Sequence, residues 1–406
     1  MNRIVTAPNK VAARISLPAS KSISNRALII NALSASPAPI ENLSESDDTQ
    51  TLLQALSSGQ RYVNIGAAGT AMRFLTAYLA MQEGEWILTG SERMKERPIA
   101  LLADTLNKLG AQIGYLEEKG YPPLRIVGRE MEGGEASISG GVSSQYISAL
   151  LMTGPLMRRG LRLKLRGQIV SQPYIRLTSE LMRMQGVRVE TEKPGLLSIA
   201  PQKYSPTAFR VESDWSAASY WYAIASLADE ATIELAGLCA DSWQGDAAVL
   251  DIYERLGVRS RFGDEGLVIC GGGRVVERME YDFCDVPDLA QTLVANCCFL
   301  GVRFRFGGLQ SLRIKETDRL EALRSELAKL GYSIRLEGST LEWNGDRCEP
   351  EPSPVIETYN DHRMAMAFAP AAFIRPEGIE IAEPEVVSKS YPAFWNDLAL
   401  AGFSFD

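Results

Sequence analysis

One repeated interval constrains this 406-residue chain more than any other feature. Six mostly apolar stretches each open on small or polar residues. They are SKSISNRALIINAL from Ser20, GTAMRFLTAYLA from Gly69, SSQYISALLMTGPL from Ser143, DWSAASYWYAIASL from Asp214, PDLAQTLVANCCFL from Pro287 and DHRMAMAFAPAAF from Asp361. Counted from Ser22, the starts fall at 22, 69, 143, 214, 287 and 361, in steps of 47, 74, 71, 73 and 74. A second series keeps the same interval. Amphipathic stretches end in glycine and run on into β-rich residues, at Gly110, Gly186, Gly257, Gly331 and Gly402. Glycine after a helix supplies the left-handed residue that ends it. One period in two independent landmarks means repeated supersecondary units.

Each unit reads as strand, buried helix, strand, amphipathic helix and two strands, with strands in runs such as LRLKLRG, ATIELAG, VRFRFGG and LVIC. The opening helices are apolar nearly all round and are expected in the core. The first unit is short: 10 residues separate Gly59 from Gly69, against gaps of 33, 28, 30 and 30 elsewhere. The missing length, about 20 residues, is that of a two-stranded hairpin. A single strand near RYVNI and a turn are expected in its place.

Composition excludes several classes. The net charge of −8 opposes nonspecific nucleic-acid binding, which needs a basic surface, but not small anionic ligands, which need only a local basic cluster. No apolar run reaches a membrane span, and the start MNRIVTAPNK has no apolar signal stretch, so a cytoplasmic protein without membrane contact is expected. The six cysteines include no C-x-x-C pair, so free and mostly buried thiols are expected rather than disulfides or zinc ligands. His362 is the single histidine, and no H-E-x-x-H motif accompanies it. There is no G-x-x-x-x-G-K-[ST] loop, no G-x-G-x-x-G after a strand and no G-x-S-x-G elbow. Neither metal nor cofactor is expected.

The unusual residues gather at the turns that open the apolar helices. Helix N-termini offer unpaired N–H groups and partial positive charge, and so suit anions. Cations fall at such places: Lys21 and Arg26 around Ser22, Arg97 in RMKERPI, Lys315 and Arg319 around Glu316 in RIKETDRL, Arg363 after His362, and Lys389 in VVSKSYP. Singly, each is most simply a solvated surface charge. Together at unit boundaries they outline a site for anions.

Nine motifs in order along the chain resemble those of the EPSP synthase family: LPASKSISNRALI, AAGTAMRF, RMKERPI, YPPLRI, VSSQYISALLMT, SQPYI, VPDLAQT, KETDRL and YNDHRMAM. The resemblance implies an α/β fold, a two-domain inside-out α/β barrel of six βαβαββ units, the first shortened. It implies domains of residues 18–212 and of 1–17 with 213–406, three units in each, and an active site in the cleft between them. It implies transfer of the enolpyruvyl group of phosphoenolpyruvate to the 5-hydroxyl of shikimate 3-phosphate by a monomer, with glyphosate as inhibitor.

Roles follow position by position. Lys21, Ser22, Arg26, Ser143, Ser144, Gln145, Tyr174, Asp288 and Lys315 match contacts to shikimate 3-phosphate. Lys21, Gly69, Arg97, Gln145, Arg319, His362, Arg363 and Lys389 match the phosphoenolpyruvate site. Asp288, Glu316 and Lys21 match the groups that move protons. The chain also departs from the family pattern. Ala67 stands where asparagine is usual, Phe74 where proline is usual, and Ser311 where an asparagine binds shikimate. Two other readings compete with this one. Enolpyruvyl transfer to UDP-N-acetylglucosamine uses the same fold, but with Lys-Asn in place of Lys21-Ser22 and a cysteine in the N-terminal half, where this chain has none. A binding protein without turnover would not need Lys21, Asp288, Glu316 and Lys389 together.

Overall fold

A computed structural model describes residues 2–263 and 266–406. The chain divides into two compact units: a central unit, Ser20–Val211, and a terminal unit built from Met1–Ala19 and Glu212–Asp406. Each holds three small sheets, none of which closes on itself among the described residues.

One strand order recurs. In the central unit, Tyr62–Asn64 runs parallel to Gly84–Thr89, which pairs antiparallel with Leu124–Gly128, which pairs with Gln112–Tyr115. Gly134–Ser139, Leu161–Arg166, Leu196–Ile199 and Glu190–Lys193 repeat it. In the terminal unit the same order joins Lys10–Ser16, Glu230–Ala236, Gly266–Cys270 and Arg259–Gly263. It returns in Arg278–Asp282, Arg303–Gly307, Thr340–Trp343 and Arg335–Glu337. The last sheet is Val355–Ile356, Ile379–Ile381, Arg3–Thr6 and Ser404–Phe405, so the start of the chain completes it. Among the described residues the sixth sheet keeps only the parallel pair, Ile40–Glu41 with Phe209–Arg210, without its hairpin. The chain passes from the helix Asp47–Ser57 to the strand Tyr62–Asn64.

A parallel pair needs a crossover, and a buried helix belongs to it in each complete sheet; between Lys10–Ser16 and Glu230–Ala236 it also contains the whole central unit. The six apolar stretches form the helices Lys21–Ala32, Gly69–Leu79, Ser144–Thr153, Trp215–Leu227, Ala290–Leu300 and His362–Phe368. Burial is nearly continuous along them: Ala290 through Phe299 are all inaccessible, as are Trp221 and Tyr222. Each large apolar side chain so buried stabilises by roughly 1.5–3 kcal/mol. The strands present one face to this core, as in Leu161–Arg166, where leucines are buried and basic residues exposed.

Ser20, Ser143, Asp214 and Asp361 cap four of these helices, each accepting a backbone N–H of the first turn. Lys21 and Ser22 are therefore the first two residues of a helix rather than the turn before it. The cysteines depart from expectation. All six are free, but only Cys297 and Cys298 are buried, while Cys239 and Cys348 are exposed. The buried pair lies on a core helix, and the others fall at strand ends and loops, where no packing requires burial.

All five glycines of the second series are left-handed, with φ between +84° at Gly257 and +109° at Gly110. Two of them separate conformational cost from steric cost. A Cβ on Gly402 would meet Pro8 at 3.4 Å, an ordinary contact, whereas one on Gly257 would lie 2.8 Å from the carbonyl oxygen of Gly273. Gly402→Ala is expected to cost about 1–2 kcal/mol, the penalty of a left-handed L-residue. Gly257→Ala is expected to cost more, because backbone must also move. Chemical denaturation midpoints of the two variants check the order.

Candidate active site

In the central unit the named residues gather at helix starts. Gly69 is the first residue of Gly69–Leu79 and lies against two cations: an added Cβ would stand 2.8 Å from Arg97 Nη1 and 3.1 Å from Arg73 Nη1. The glycine is thus what lets Arg97 approach the helix. Arg97 is only 7% exposed, and its Nε has no partner among the described residues. Gln145 Nε2 donates to Thr70 Oγ1 at 3.0 Å, tying the start of Ser144–Thr153 to that of Gly69–Leu79. Ser143 caps the former helix, and Ser144 is buried at its first position. Lys21 pairs with Asp48 at 3.2 Å, both partly exposed.

Arg26 is sealed more deeply than its role in the sequence reading suggests. It is 2% exposed and donates to Thr178 Oγ1 at 2.7 Å, to the Ser22 carbonyl at 2.9 Å and to Ser148 Oγ at 3.2 Å. None of these acceptors is ionised. Burial pulls its pKa down to about 10, against a smaller opposing effect of Tyr174, so the guanidinium stays charged at neutral pH. The rings of Phe74 and Tyr174 lie 5.4 and 5.9 Å from it, at cation–π range. Phe74 is itself buried, and the helix runs unbroken through it.

In the terminal unit Asp288, Glu316, Arg319 and Arg363 form one ion cluster around Asp361. Arg319 Nε donates to Asp361 at 2.7 Å, Nη2 to Glu316 at 2.8 Å, and Nη1 reaches Asp288 at 3.4 Å. Arg363 Nη2 contacts the other Asp288 oxygen at 2.9 Å, and its Nη1 donates to Tyr220 Oη and to the Asp288 carbonyl, both at 3.2 Å. Burial acts to lower the Arg319 pKa, but Asp361, Glu316 and Asp288 outweigh it and hold it above the usual value. His362, 2% exposed, has Nδ1 3.8 Å from Asp361. Lys389 donates to the carbonyl and the side-chain oxygen of Asn360, both at 2.6 Å. Lys315 lies half-buried in the turn before Arg319–Lys329, beyond the 3₁₀ turn Gln310–Ile314 that carries Ser311.

Among the described residues no group of three or more His, Cys, Asp or Glu side chains could hold a metal ion. None of their helices is long and apolar enough to cross a membrane.

A family model described as EPSP synthase (3-phosphoshikimate 1-carboxyvinyltransferase) matches residues 5–59 and 57–398. A 3-phosphoshikimate 1-carboxyvinyltransferase of Bacteroides fragilis is 54% identical over 404 residues, covering 99% of this chain and 98% of that one. The chain belongs to the EPSP synthase family. A second relative of that name, from Haemophilus influenzae, is 36% identical over 436 positions, covering 98% of each chain. That alignment is longer than this chain, so segments of the Haemophilus protein have no counterpart here. The Bacteroides alignment leaves no such room, so that relative shares the compact length. An EPSP synthase structure from Acinetobacter baumannii superposes with a TM-score of 0.79 at 22% identity over 100% of both chains. The enolpyruvyl transferase NikO from Streptomyces tendae gives 0.72 at 15%, covering 100% of this chain and 98% of its own. At these identities the two structures show a shared mixed α/β fold.

The expected site residues leave out Asp361 and Tyr220 of the cluster, and Asp246 beside it. Asp361 lies in the motif YNDHRMAM, but its pairing with Arg319 needs coordinates. Asp246 carried no signal. It sits in the 3₁₀ turn Gly245–Ala248, is 3% exposed and bonds Ser216 Oγ through one oxygen, while the other has no partner among the described residues. Burial first, and the nearby Asp288 carboxylate second, push its pKa up to about 7. The folded protein thus keeps this proton to higher pH than the unfolded chain, which releases it near an ordinary value of about 4. Stability is therefore lost as pH rises from about 4 to about 7 and stays reduced above. Asp246→Asn removes that loss. Its thermal midpoint relative to the unmutated protein is expected to be highest above pH 7 and to converge on it near pH 4, as pH-dependent calorimetry would show.

Proposed function

We propose that this chain transfers the carboxyvinyl group of phosphoenolpyruvate to the 5-hydroxyl of shikimate 3-phosphate. Phosphate is released and 5-enolpyruvylshikimate 3-phosphate forms, within the shikimate pathway to aromatic amino acids. The observation that carries the reading is the cluster in which Asp288 contacts the guanidinium groups of both Arg319 and Arg363 and Glu316 that of Arg319. It combines forks suited to carboxylate and phosphate with carboxylates suited to moving protons.

Shikimate 3-phosphate takes Lys21, Ser22, Arg26, Ser143, Ser144, Gln145, Tyr174, Asp288 and Lys315. Phosphoenolpyruvate takes Lys21, Gly69, Arg97, Gln145, Arg319, His362, Arg363 and Lys389. Arg97, buried and with no ion-pair partner among the described residues, supports the second assignment. Arg319 and Arg363 already hold carboxylates, so an incoming anion competes with Asp288 for the same donors. As it is displaced, Asp288 becomes able to accept the 5-hydroxyl proton.

Protonation of the phosphoenolpyruvate methylene carbon gives cationic character at C2, and the 5-hydroxyl attacks there. The tetrahedral intermediate expels phosphate while the new methyl group loses a proton. Glu316 and Lys21 are the groups assigned to that proton. The six sheets correspond to six βαβαββ units, the first shortened, in an inside-out α/β arrangement, a reading that the recurring strand order supports. The enzyme works as a monomer, without metal or cofactor, and glyphosate competes with phosphoenolpyruvate.

Phosphate release from the two substrates together tests the reaction; no release above either substrate alone would refute it. Glu316→Gln and Asp288→Ala are expected to lower kcat by about 10²–10⁴-fold with both substrates still bound. Gly69→Ala tests the phosphoenolpyruvate site. The added methyl displaces the flexible end of Arg97, so KM for phosphoenolpyruvate is expected to rise while KM for shikimate 3-phosphate and the thermal midpoint hold. An equal rise in both KM values would argue against that placement of Arg97.

A further inference from the structure

The helix Arg319–Lys329 grips the segment leading to His362 at two points, seven residues apart and hence on one face. Its first residue, Arg319, holds Asp361. Two turns on, Glu326 is wholly buried and holds the residues before it. One Glu326 oxygen accepts the Glu357 backbone N–H at 3.0 Å and the Lys329 ammonium at 2.7 Å, and the other accepts the Tyr359 hydroxyl at 2.6 Å.

What these bonds hold is a strained turn. Tyr359 and Asn360 are consecutive left-handed residues, with φ of +52° and +56°. Asparagine tolerates that region, but for a bulky tyrosine it is an outlier that persists only where surroundings enforce it. The turn aims two oxygens of Asn360 at one point, and both accept from Lys389 Nζ at 2.6 Å. Both acceptors are neutral, so these bonds fix the ammonium in place without cancelling its charge.

We propose that Glu326 is a positioning residue for Lys389, acting through the left-handed turn Tyr359–Asn360. The inference rests on the reading above in which Lys389 binds phosphoenolpyruvate. A buried carboxylate outside the assigned substrate contacts would otherwise serve only the fold. Here it sets where a substrate-binding cation stands.

Steady-state kinetics on the full-length enzyme, with both substrates varied, test it. Tyr359→Phe deletes one hydroxyl and one of the holding bonds. It is expected to raise KM for phosphoenolpyruvate by about 3- to 10-fold, the scale of one hydrogen bond, with kcat and the other KM within about twofold. Glu326→Gln is expected to act in the same direction and more strongly. In the Lys389→Met background, assayed at raised phosphoenolpyruvate, Tyr359→Phe is expected to add nothing, since the two changes remove one interaction. An unchanged KM in Tyr359→Phe, an equal rise in both KM values, or a full further rise in the Lys389→Met background would overturn the proposal. If Glu326→Gln fails to fold, Tyr359→Phe alone decides. A normal phosphoenolpyruvate KM in Lys389→Met would instead sink the site reading, and this inference with it.

Discussion

The terminal unit depends on a buried ion pair. Arg319 and Asp361 meet at 2.7 Å, with side chains 2% and 0% exposed. Removing either partner from such a pair leaves an uncompensated charge in a poor solvent, at a cost of about 3–5 kcal/mol. The same aspartate caps the helix His362–Phe368 by accepting the Arg363 N–H, so one carboxylate orients both arginines. Asp288 then bridges the two guanidinium groups, and Glu316 takes the remaining edge of Arg319. Stability and chemistry are not separable here, because the residues proposed to move protons are held by those proposed to bind anions.

The central unit solves its charge problem differently. Arg26 is as buried as Arg319, yet its bonds go to two hydroxyls and a carbonyl, and its faces to aromatic rings. Hydroxyls and π-faces keep a cation buried at the expense of its pKa, which falls where that of Arg319 rises. Phe74 belongs to this solution. From sequence it is a departure from the usual proline; in the structure it supplies a face for Arg26 within an unbroken helix.

The sequence made the repeat legible because backbone chemistry leaves marks of fixed type. Gly110, Gly186, Gly257, Gly331 and Gly402 mark helix ends through their left-handed geometry, and apolar runs mark the buried helices. Arg319, Arg363 and Lys389 were visible as cations near helix starts. Their partners were less so: Asp246 and Glu326 lie in stretches that read as ordinary turn and surface helix, and only three-dimensional packing buries them. Cysteine burial was misjudged because average tendencies of a residue type say little about loop positions such as Cys239 and Cys348.

The strand pairings also set an order of events during synthesis. The central unit is one uninterrupted segment, so all its partners are present once Val211 has left the ribosome. The terminal unit has no such freedom. Lys10–Ser16 waits for Glu230–Ala236, and Arg3–Thr6 waits for Ile379–Ile381 and Ser404–Phe405. Both strands emerge before the central unit and pair after it. While the central unit folds, the nascent chain therefore carries two unpaired β-segments ahead of it. That is the period when Val5, Val11 and Ile15, all inaccessible in the finished fold, face water, and when a chaperone would have most to protect.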